Sequence, residues 1–111
     1  MNPGQKPTKR IKDPELMKAL HRRGLECEIT GQKPAEIHHV ISRGQSGDDV
    51  PENLVTLERG LHAKITAEDE CARMMLGDHL LLNRFDVILY VRQKLGEEAG
   101  AEWLRRRLFI Q

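Results

Sequence analysis

The sequence predicts an α+β fold in which a two-stranded β-hairpin is followed by helices. The chain has 111 residues, the usual size of one domain. Two short segments rich in β-prone residues, AEIHHVI (35–41) and NLVTL (53–57), flank a loop of small and acidic residues. From about Glu58 onward, apolar residues recur at helical spacing. We therefore expect a hairpin-helix core at about 25–70 and a helical extension at about 71–111.

The N-terminal region predicts an arm and then a helix. Residues 1–12, MNPGQKPTKRIK, contain two prolines, a glycine and four positive charges, which indicates a flexible basic arm ahead of a single domain at 13–111. A helix with both ends marked follows. Asp13 can accept hydrogen bonds from free backbone N–H groups, Pro14 suits the first turn, and Gly24 can adopt the left-handed conformation that ends a helix.

The segments around the hairpin carry weaker signals. CEI at 27–29 has strand character, and residues 30–34 have turn chemistry. Beyond the hairpin, one long helical region carries an apolar stripe at helical spacing, formed by Leu81, Phe85, Ile88 and Leu95. Gly96 should interrupt this region. A last helix, EEAGAEWLRRRLF, should follow, because its acidic start and basic end suit the helix macrodipole.

The charge of the chain is unevenly distributed, although its net value is only +1. Up to Leu25 there are seven basic and two acidic side chains, a net charge of +5, which leaves −4 for the rest. This basic segment is either a phosphate-binding arm or a solvated tail. We expect neither a membrane span nor a signal peptide, because every apolar run is short. Cys27 and Cys71 form no disulfide framework, so we expect a cytoplasmic protein.

The strongest chemical signal is the adjacent pair His38 and His39, followed by Asn53 after the loop and His62 at the predicted helix start. Hydrolysis of a phosphodiester needs a base for water, a divalent cation and a base ring held at a fixed angle. We expect His39 to be the base, and His38 and His62 to bind the cation. Asn53 either holds the loop or adds a third ligand. Neighbours on a strand point to opposite faces, so the pair can serve one site only if the strand ends or bulges there.

The segment IHHVISRGQSGDDVPENLVTLERGLH (37–62) resembles the motif of HNH endonucleases, and most closely the small members encoded by bacteriophages. The resemblance implies the ββα-metal fold, a β-hairpin and helix that grip one metal ion. In this family the first residue of the histidine pair binds the metal and the second is the general base, which correspond to His38 and His39. The family asparagine corresponds to Asn53, and the metal-binding histidine of the helix to His62.

This sequence departs from the family in its metal ligands. Many relatives hold a structural zinc ion with two CxxC pairs, but here the pairs read CEIT, with Cys27 alone, and ERGL before His62. One thiolate cannot form a four-coordinate zinc site, so we expect no structural zinc, Leu61 in place of a thiolate, and a chain that stays folded after chelation. Colicin-type relatives carry another histidine where Thr66 stands. Two imidazoles with several waters suit one Mg²⁺ or Mn²⁺ ion.

Basic side chains near the motif predict contacts with the DNA backbone. Arg43 lies in the loop beside the predicted base, Lys64 follows the helix histidine by two residues, and Lys9 and Arg10 belong to the arm. Each could equally face solvent. The other chemistry-bearing residues are expected at the surface or at helix caps (His21, His79), as buried thiols (Cys27, Cys71), in the core (Trp103, Phe109) and at a helix end (Arg105–Arg107).

The sequence therefore predicts a metal-dependent HNH-type endonuclease that hydrolyses DNA phosphodiester bonds in a bacterial or phage-infected host cell. We expect double-stranded DNA as the partner, no membrane partner, and a nick as the product of one site; a homodimer would be one way to cut both strands. One alternative is a catalytically inactive nucleic-acid-binding or assembly protein on the same scaffold. A second alternative is a small structural metal protein that uses His38, His62 and Cys27.

Overall fold

The computed structural model describes residues 9–109; the first eight residues and the last two lie outside this range. The described chain is α+β, with five α-helices and one two-stranded antiparallel sheet, so the α+β class is confirmed, and the ββα-metal core stays a prediction. The elements in chain order are α1 (Pro14–Arg22), β1 (Ala35–His39), β2 (Leu54–Glu58), α2 (Arg59–Thr66), α3 (Glu70–Asn83), α4 (Phe85–Leu95) and α5 (Glu97–Arg107). None of the helices within 9–109 is both long enough and apolar enough to cross a lipid bilayer.

The hairpin ends at the histidine pair. At the loop end of the antiparallel ladder, His39 lies opposite Leu54. One further hydrogen bond, from the N–H of Val40 to the carbonyl of Asn53 at 2.9 Å, closes the pairing. The chain then enters the loop between the strands, which contains two short 3-10 turns. β1 therefore ends at the histidine pair, which is the condition under which two neighbouring histidines can serve one site.

Residues 28–30 form a turn, so the strand predicted at 27–29 is wrong. The carbonyl of Cys27 accepts a hydrogen bond from the N–H of Gly31 at 2.8 Å. Gly31 has a φ of 75°, a left-handed conformation that favours glycine. The N–H of Glu28 donates to the carbonyl of Thr56 in β2, so the turn lies against the sheet. Because the turn closes on Cys27 itself, too few residues remain to form a third strand.

The predicted helix ends are confirmed, but two breaks in the helical region were not predicted. The side chain of Asp13 accepts a backbone N–H of the first turn of α1, and Gly24 follows that helix with a φ of 72°. Gly96, with a φ of 98°, separates α4 from α5. The first unpredicted break lies at residues 67–69, between α2 and α3. A further break at Arg84 divides the predicted long helix into α3 and α4. At this break the guanidinium of Arg84 donates to both carboxylate oxygens of Glu28.

The apolar core is formed by β2 together with buried positions of α3, α4 and α5. Its fully buried members include Val55, Leu57, Leu76, Leu80 and Val91. The predicted stripe is only partly buried, because Ile88 is in the core whereas Leu81 and Phe85 are 48% and 50% exposed. The helix stops at Arg84, so Leu81 in α3 does not continue the face of the other three positions, and within α4 Phe85 is exposed at the first residue of the helix. The spacing rule therefore fails across the break.

Residues 10 and 11, which the sequence assigned to the flexible arm, are bound to the loop between the strands. The N–H of Ile11 donates to the carboxylate of Asp48 at 2.6 Å, and its carbonyl accepts from the N–H of Asp49 at 2.9 Å. The guanidinium of Arg10 pairs with the carboxylate of Asp49. The folded domain therefore begins before the predicted boundary. The rest of the predicted arm, at 1–8, lies outside the described residues.

Candidate active-site groove

A groove of about 1050 Å³ lies at the loop end of β1. Its lining comes from β1, the first part of the loop that follows, and helices α1, α2, α3 and α5. Four residues predicted from the sequence line it, namely His38, His39, Arg43 and His62. The other four predicted residues are not among its lining residues, namely Asn53, Lys64, Lys9 and Arg10. The groove therefore brings together the three histidines of the predicted site.

His38 and His62 lie side by side between β1 and α2. Their ring centroids are 5.1 Å apart and their planes are inclined by 72°. Glu36 is two residues before His38 and shares its face of the strand. Oε1 of Glu36 lies 2.8 Å from Nδ1 of His62. A histidine that donates one ring N–H to a carboxylate keeps its other nitrogen for a cation, so Nε2 of His62 is the available ligand.

The environment of this pair favours a neutral His38 and a charged Glu36. Burial, together with the charges of His62 and His39, lowers the pKa of His38 to about 4. His38 is therefore neutral at pH 7. The hydrogen bond from His62 holds the pKa of Glu36 below its usual value, so this carboxylate stays charged. Neutral imidazole is the form that binds a metal ion.

His39 points to the other side of the strand and contacts Asp49. Nε2 of His39 lies 2.8 Å from Oδ1 of Asp49, which is 4% exposed. Burial alone would raise the pKa of Asp49, but hydrogen bonds from the N–H of Asp13 and from His39, with the charge of Arg10, outweigh burial and lower it. The charged carboxylate accepts the Nε2 hydrogen, which leaves the lone pair on Nδ1. Asp49 thus orients His39 as a base.

Asn53 holds the loop in place. Its Oδ1 accepts from the N–H of Ile41 at 2.8 Å, and its Nδ2 donates to the carbonyls of Ile41 and Asp48, both at 3.0 Å. Its side chain is fully buried and lies outside the groove lining. Of the two roles predicted for Asn53, this geometry supports the positioning of the loop. The catalytic or ligand role given to Asn53 stays a prediction that these contacts do not support.

The same loop is tied to α4 by a buried cluster around Asp48. The hydroxyl of Tyr90 donates to Oδ2 of Asp48 at 2.6 Å, and Nζ of Lys94 lies 3.0 Å from the same oxygen. Burial and the hydrogen bond to Asp48 raise the pKa of Tyr90. Gly47, just before Asp48, allows a close approach, because a Cβ there would lie 1.6 Å from the carbonyl oxygen of Ile41. The loop that presents Asp49 is therefore fixed at several points.

The predicted phosphate-binding residues fall into different environments. Arg43 lines the groove and its side chain is 60% exposed, with Nε 4.0 Å from Asp49. Lys64 and Lys9 are exposed but lie away from the groove lining. The guanidinium of Arg10 pairs with the buried carboxylate of Asp49, and its phosphate contact stays a prediction. Arg43 is thus the one predicted phosphate-binding residue that lines the groove.

Sequence reasoning missed the contribution of α5 to the groove. Trp103 is half-buried and packs against the core, as predicted, but it also lines the groove. Cζ of Arg107 lies 5.0 Å from the centroid of the Trp103 ring. The contacts of Asp49 and Glu36 with histidines of the groove were also not predicted. The available signal was that both are acidic residues close to the histidine pair in the sequence. For α5 there was no local signal, because its approach to the hairpin is tertiary.

The turn after Cys27 is connected to α3 and α4 by Glu28. Oε1 of Glu28 lies 2.9 Å from Nε2 of His79 and 2.9 Å from Nη1 of Arg84. His79 is buried, so the surface or capping role predicted for it is wrong. Cys27 is a buried thiol, as predicted, whereas Cys71 is exposed. The contacts of Glu28 with His79 and Arg84 thus hold the turn before β1 against α3 and α4.

The donor set of the groove fits a weakly coordinated cation. Within residues 9–109, no group of three or more His, Cys, Asp and Glu side chains is arranged to hold a metal ion. His38 and His62 offer two ligands, which suits an ion that keeps several waters and not closed four-coordinate zinc. Cys27 belongs to the buried core with Leu61 and does not line the groove. This placement argues against a structural site built from Cys27 and the histidines.

Known proteins supply no assignment for this groove. No protein-family model, curated protein or solved structure matches the chain. The functional interpretation therefore depends on the residues of the groove themselves.

Proposed function

We propose that this protein is a metal-dependent endonuclease of the HNH type that hydrolyses DNA phosphodiester bonds. The observation that carries the proposal is the contrast between adjacent histidines in one groove. His39 has a buried carboxylate partner, while His38 lies beside His62. Phosphodiester hydrolysis uses both environments, one for a base and one for a cation. A protein that only binds nucleic acid has no need of a histidine oriented by a buried carboxylate.

His39 is proposed as the general base. Nδ1 takes a proton from a water molecule while the water oxygen forms a bond to phosphorus and the bond to the leaving 3′ oxygen breaks. Asp49 fixes the tautomer that leaves Nδ1 available, and its negative charge stabilises the imidazolium that forms. Arg10 and the N–H of Asp13 keep that carboxylate charged and in place. Each of these contacts holds the base at a fixed angle.

His38 and His62 would hold one divalent cation, with Mg²⁺ or Mn²⁺ favoured by two imidazoles and several waters. When bound, the ion supplies positive charge that offsets the charge on the scissile phosphate and on the leaving oxygen. Glu36 orients His62 through Nδ1, and the burial of His38 keeps its ring neutral. Arg43 would contact a phosphate of the backbone without reading sequence.

Plasmid nicking tests this proposal. Purified protein is incubated with supercoiled DNA and Mg²⁺, Mn²⁺, Zn²⁺ or EDTA, beside a His39→Ala variant whose folding is checked by circular dichroism. We expect nicked circles with Mg²⁺ or Mn²⁺ and none in EDTA. The variant should be at least about 100-fold slower, because general base catalysis contributes roughly 10²–10⁴-fold. Nicked circles should precede linear DNA, since one site cuts one strand.

Two results would contradict the proposal. Supercoiled DNA left intact with every metal would exclude the nuclease, and if the protein still retarded that DNA on a gel, an inactive binding protein on the same scaffold would be the better description. Cleavage by His39→Ala at the wild-type rate would remove His39 as the base. Linear DNA that appears together with nicked circles would instead point to a homodimer acting on both strands.

A further inference from the structure

The groove has a second cationic feature that the proposed chemistry does not use. Cζ of Arg107 lies 5.0 Å from the ring centroid of Trp103, and both residues line the same groove as His38 and His39. A guanidinium over an indole ring at this distance is held by a cation–π interaction. Stacking restrains the guanidinium, while the N–H groups at its edge remain available to an anion.

Arg107 differs from the two arginines that precede it. Arg105 and Arg106 both donate to the carboxylate of Glu102, so a neighbouring negative charge offsets theirs. Among residues 9–109, the partner of Arg107 is the ring of Trp103 instead of a carboxylate. Three consecutive residues of one helix therefore have two different environments, and only Arg107 presents its charge to the groove.

We propose that Arg107, stacked on Trp103, binds a backbone phosphate of the nucleic acid at a position separate from the scissile phosphate. This inference rests on the proposed function, because it takes the groove as the path of the nucleic acid. The planar guanidinium matches the geometry of phosphate oxygens and can donate two parallel hydrogen bonds to them. A second fixed contact on α5 orients the strand across His38 and His39 and reads no sequence.

Binding measurements on matched variants test this contact. The background is the His39→Ala protein, so that affinity is measured without cleavage, with a fluorescein-labelled oligonucleotide followed by anisotropy. Arg107→Gln and Arg106→Gln each remove one positive charge from the same turn of α5. We expect Arg107→Gln to weaken binding on the order of tenfold, and to lower the slope of log Kd against log salt concentration by about one. Arg106→Gln should stay within about twofold of the background protein.

A second readout follows the fluorescence of the Trp103 ring itself. Trp103 is the only tryptophan of the chain, so its fluorescence reports the ring beneath Arg107 directly. Oligonucleotide binding should change its emission, and the change should be much smaller in Arg107→Gln. An abasic oligonucleotide, which keeps the phosphates, should produce the same change. An emission change that requires bases would overturn the phosphate contact and indicate base stacking on Trp103.

The outcomes separate this inference from the proposed function. Equal affinities and salt slopes for Arg107→Gln and Arg106→Gln, together with nicking that depends on metal and on His39, would overturn the Arg107 contact and leave the nuclease intact. Absence of oligonucleotide binding by the background protein would overturn the contact, and together with supercoiled DNA left intact by the unchanged protein it would overturn both. A selective loss in Arg107→Gln would support the contact even if supercoiled DNA were never cut.

Discussion

Two adjacent histidines of this molecule, His38 and His39, occupy opposite environments. His38 lies beside His62, and burial lowers the pKa of His38 to about 4. His39 has the buried carboxylate of Asp49 at 2.8 Å from its Nε2. Strand alternation sends the two rings to opposite sides, and the end of β1 still leaves both in one groove. The environment of each ring, and not its place in the sequence, decides which chemistry it can perform.

The two sides also depend on different supports. The His39 side depends on the loop, because Asp49 is positioned by contacts that Asn53 and Asp48 make with other parts of the chain. The side with His62 depends on the start of α2, where the carboxylate of Glu58 accepts the N–H groups of the first turn. A change in one support should therefore affect one histidine more than the other, which gives a way to separate the two functions.

The largest effect is expected when the two histidines are replaced separately and the metal is titrated. His39→Ala should lose at least about 100-fold in nicking rate at every Mn²⁺ concentration, because the base itself is removed. His38→Ala should lose rate at low Mn²⁺ and recover part of it as Mn²⁺ rises, because loss of a ligand weakens cation affinity by at least about tenfold. Initial rates across a Mn²⁺ titration measure this difference. Parallel titration curves for the two variants would remove the assignment of separate roles.

The next largest effect is expected at the loop support. Asn53→Ala leaves the buried N–H and carbonyl of Ile41 and the carbonyl of Asp48 without their side-chain partner. We expect the free energy of unfolding to fall by about 3 kcal/mol, measured by urea denaturation. Asn83→Ala is a matched control, since Asn83 is exposed and makes one 3.3 Å contact with His79. Its cost should be within about 1 kcal/mol. Equal costs would contradict the importance given to Asn53.

The sequence predicted the features that local chemistry decides. Asp13 and Gly24 mark the ends of α1, and Gly96 divides the last helices, because capping and left-handed geometry depend on the residue itself. The hairpin was predicted from two segments rich in β-prone residues, although the first was expected to run to residue 41 and ends at His39. These signals act within a few residues, so a single sequence carries them.

The features that the sequence did not predict arise from contacts distant in the chain. Arg84 breaks the helix where it meets Glu28, and the buried His79 contacts the same carboxylate. Asp49 becomes the partner of His39 only because the loop folds back on the strand. Arg107 lines the groove because α5 packs near the hairpin. Residue spacing along the chain gives no information about such pairs.

The smallest effect concerns acid stability and tests the environment of His38 without any DNA. The folded pKa of about 4 lies below the ordinary 6.5, so between these pH values the unfolded chain binds a proton that the folded chain does not. Stability should therefore fall as the pH falls through this window, by on the order of 1 kcal/mol for a ring that is partly exposed. The pKa values of Asp48 and Asp49 are also lowered, but from an ordinary 3.8, so their contribution is lost only at lower pH. Those of Glu36, Glu58 and Glu102 are lowered from an ordinary 4.5, so part of their contribution is lost near pH 4.5 in every variant. Urea denaturation in EDTA at pH 7 and pH 4.5 measures the difference in the free energy of unfolding.

His38→Gln should reduce this difference, and His21→Gln, at an exposed histidine, should leave it unchanged. A pH dependence of the same size in His38→Gln as in the unchanged protein would mean that burial does not hold His38 neutral, and the contrast between the two adjacent histidines would then rest on Asp49 alone.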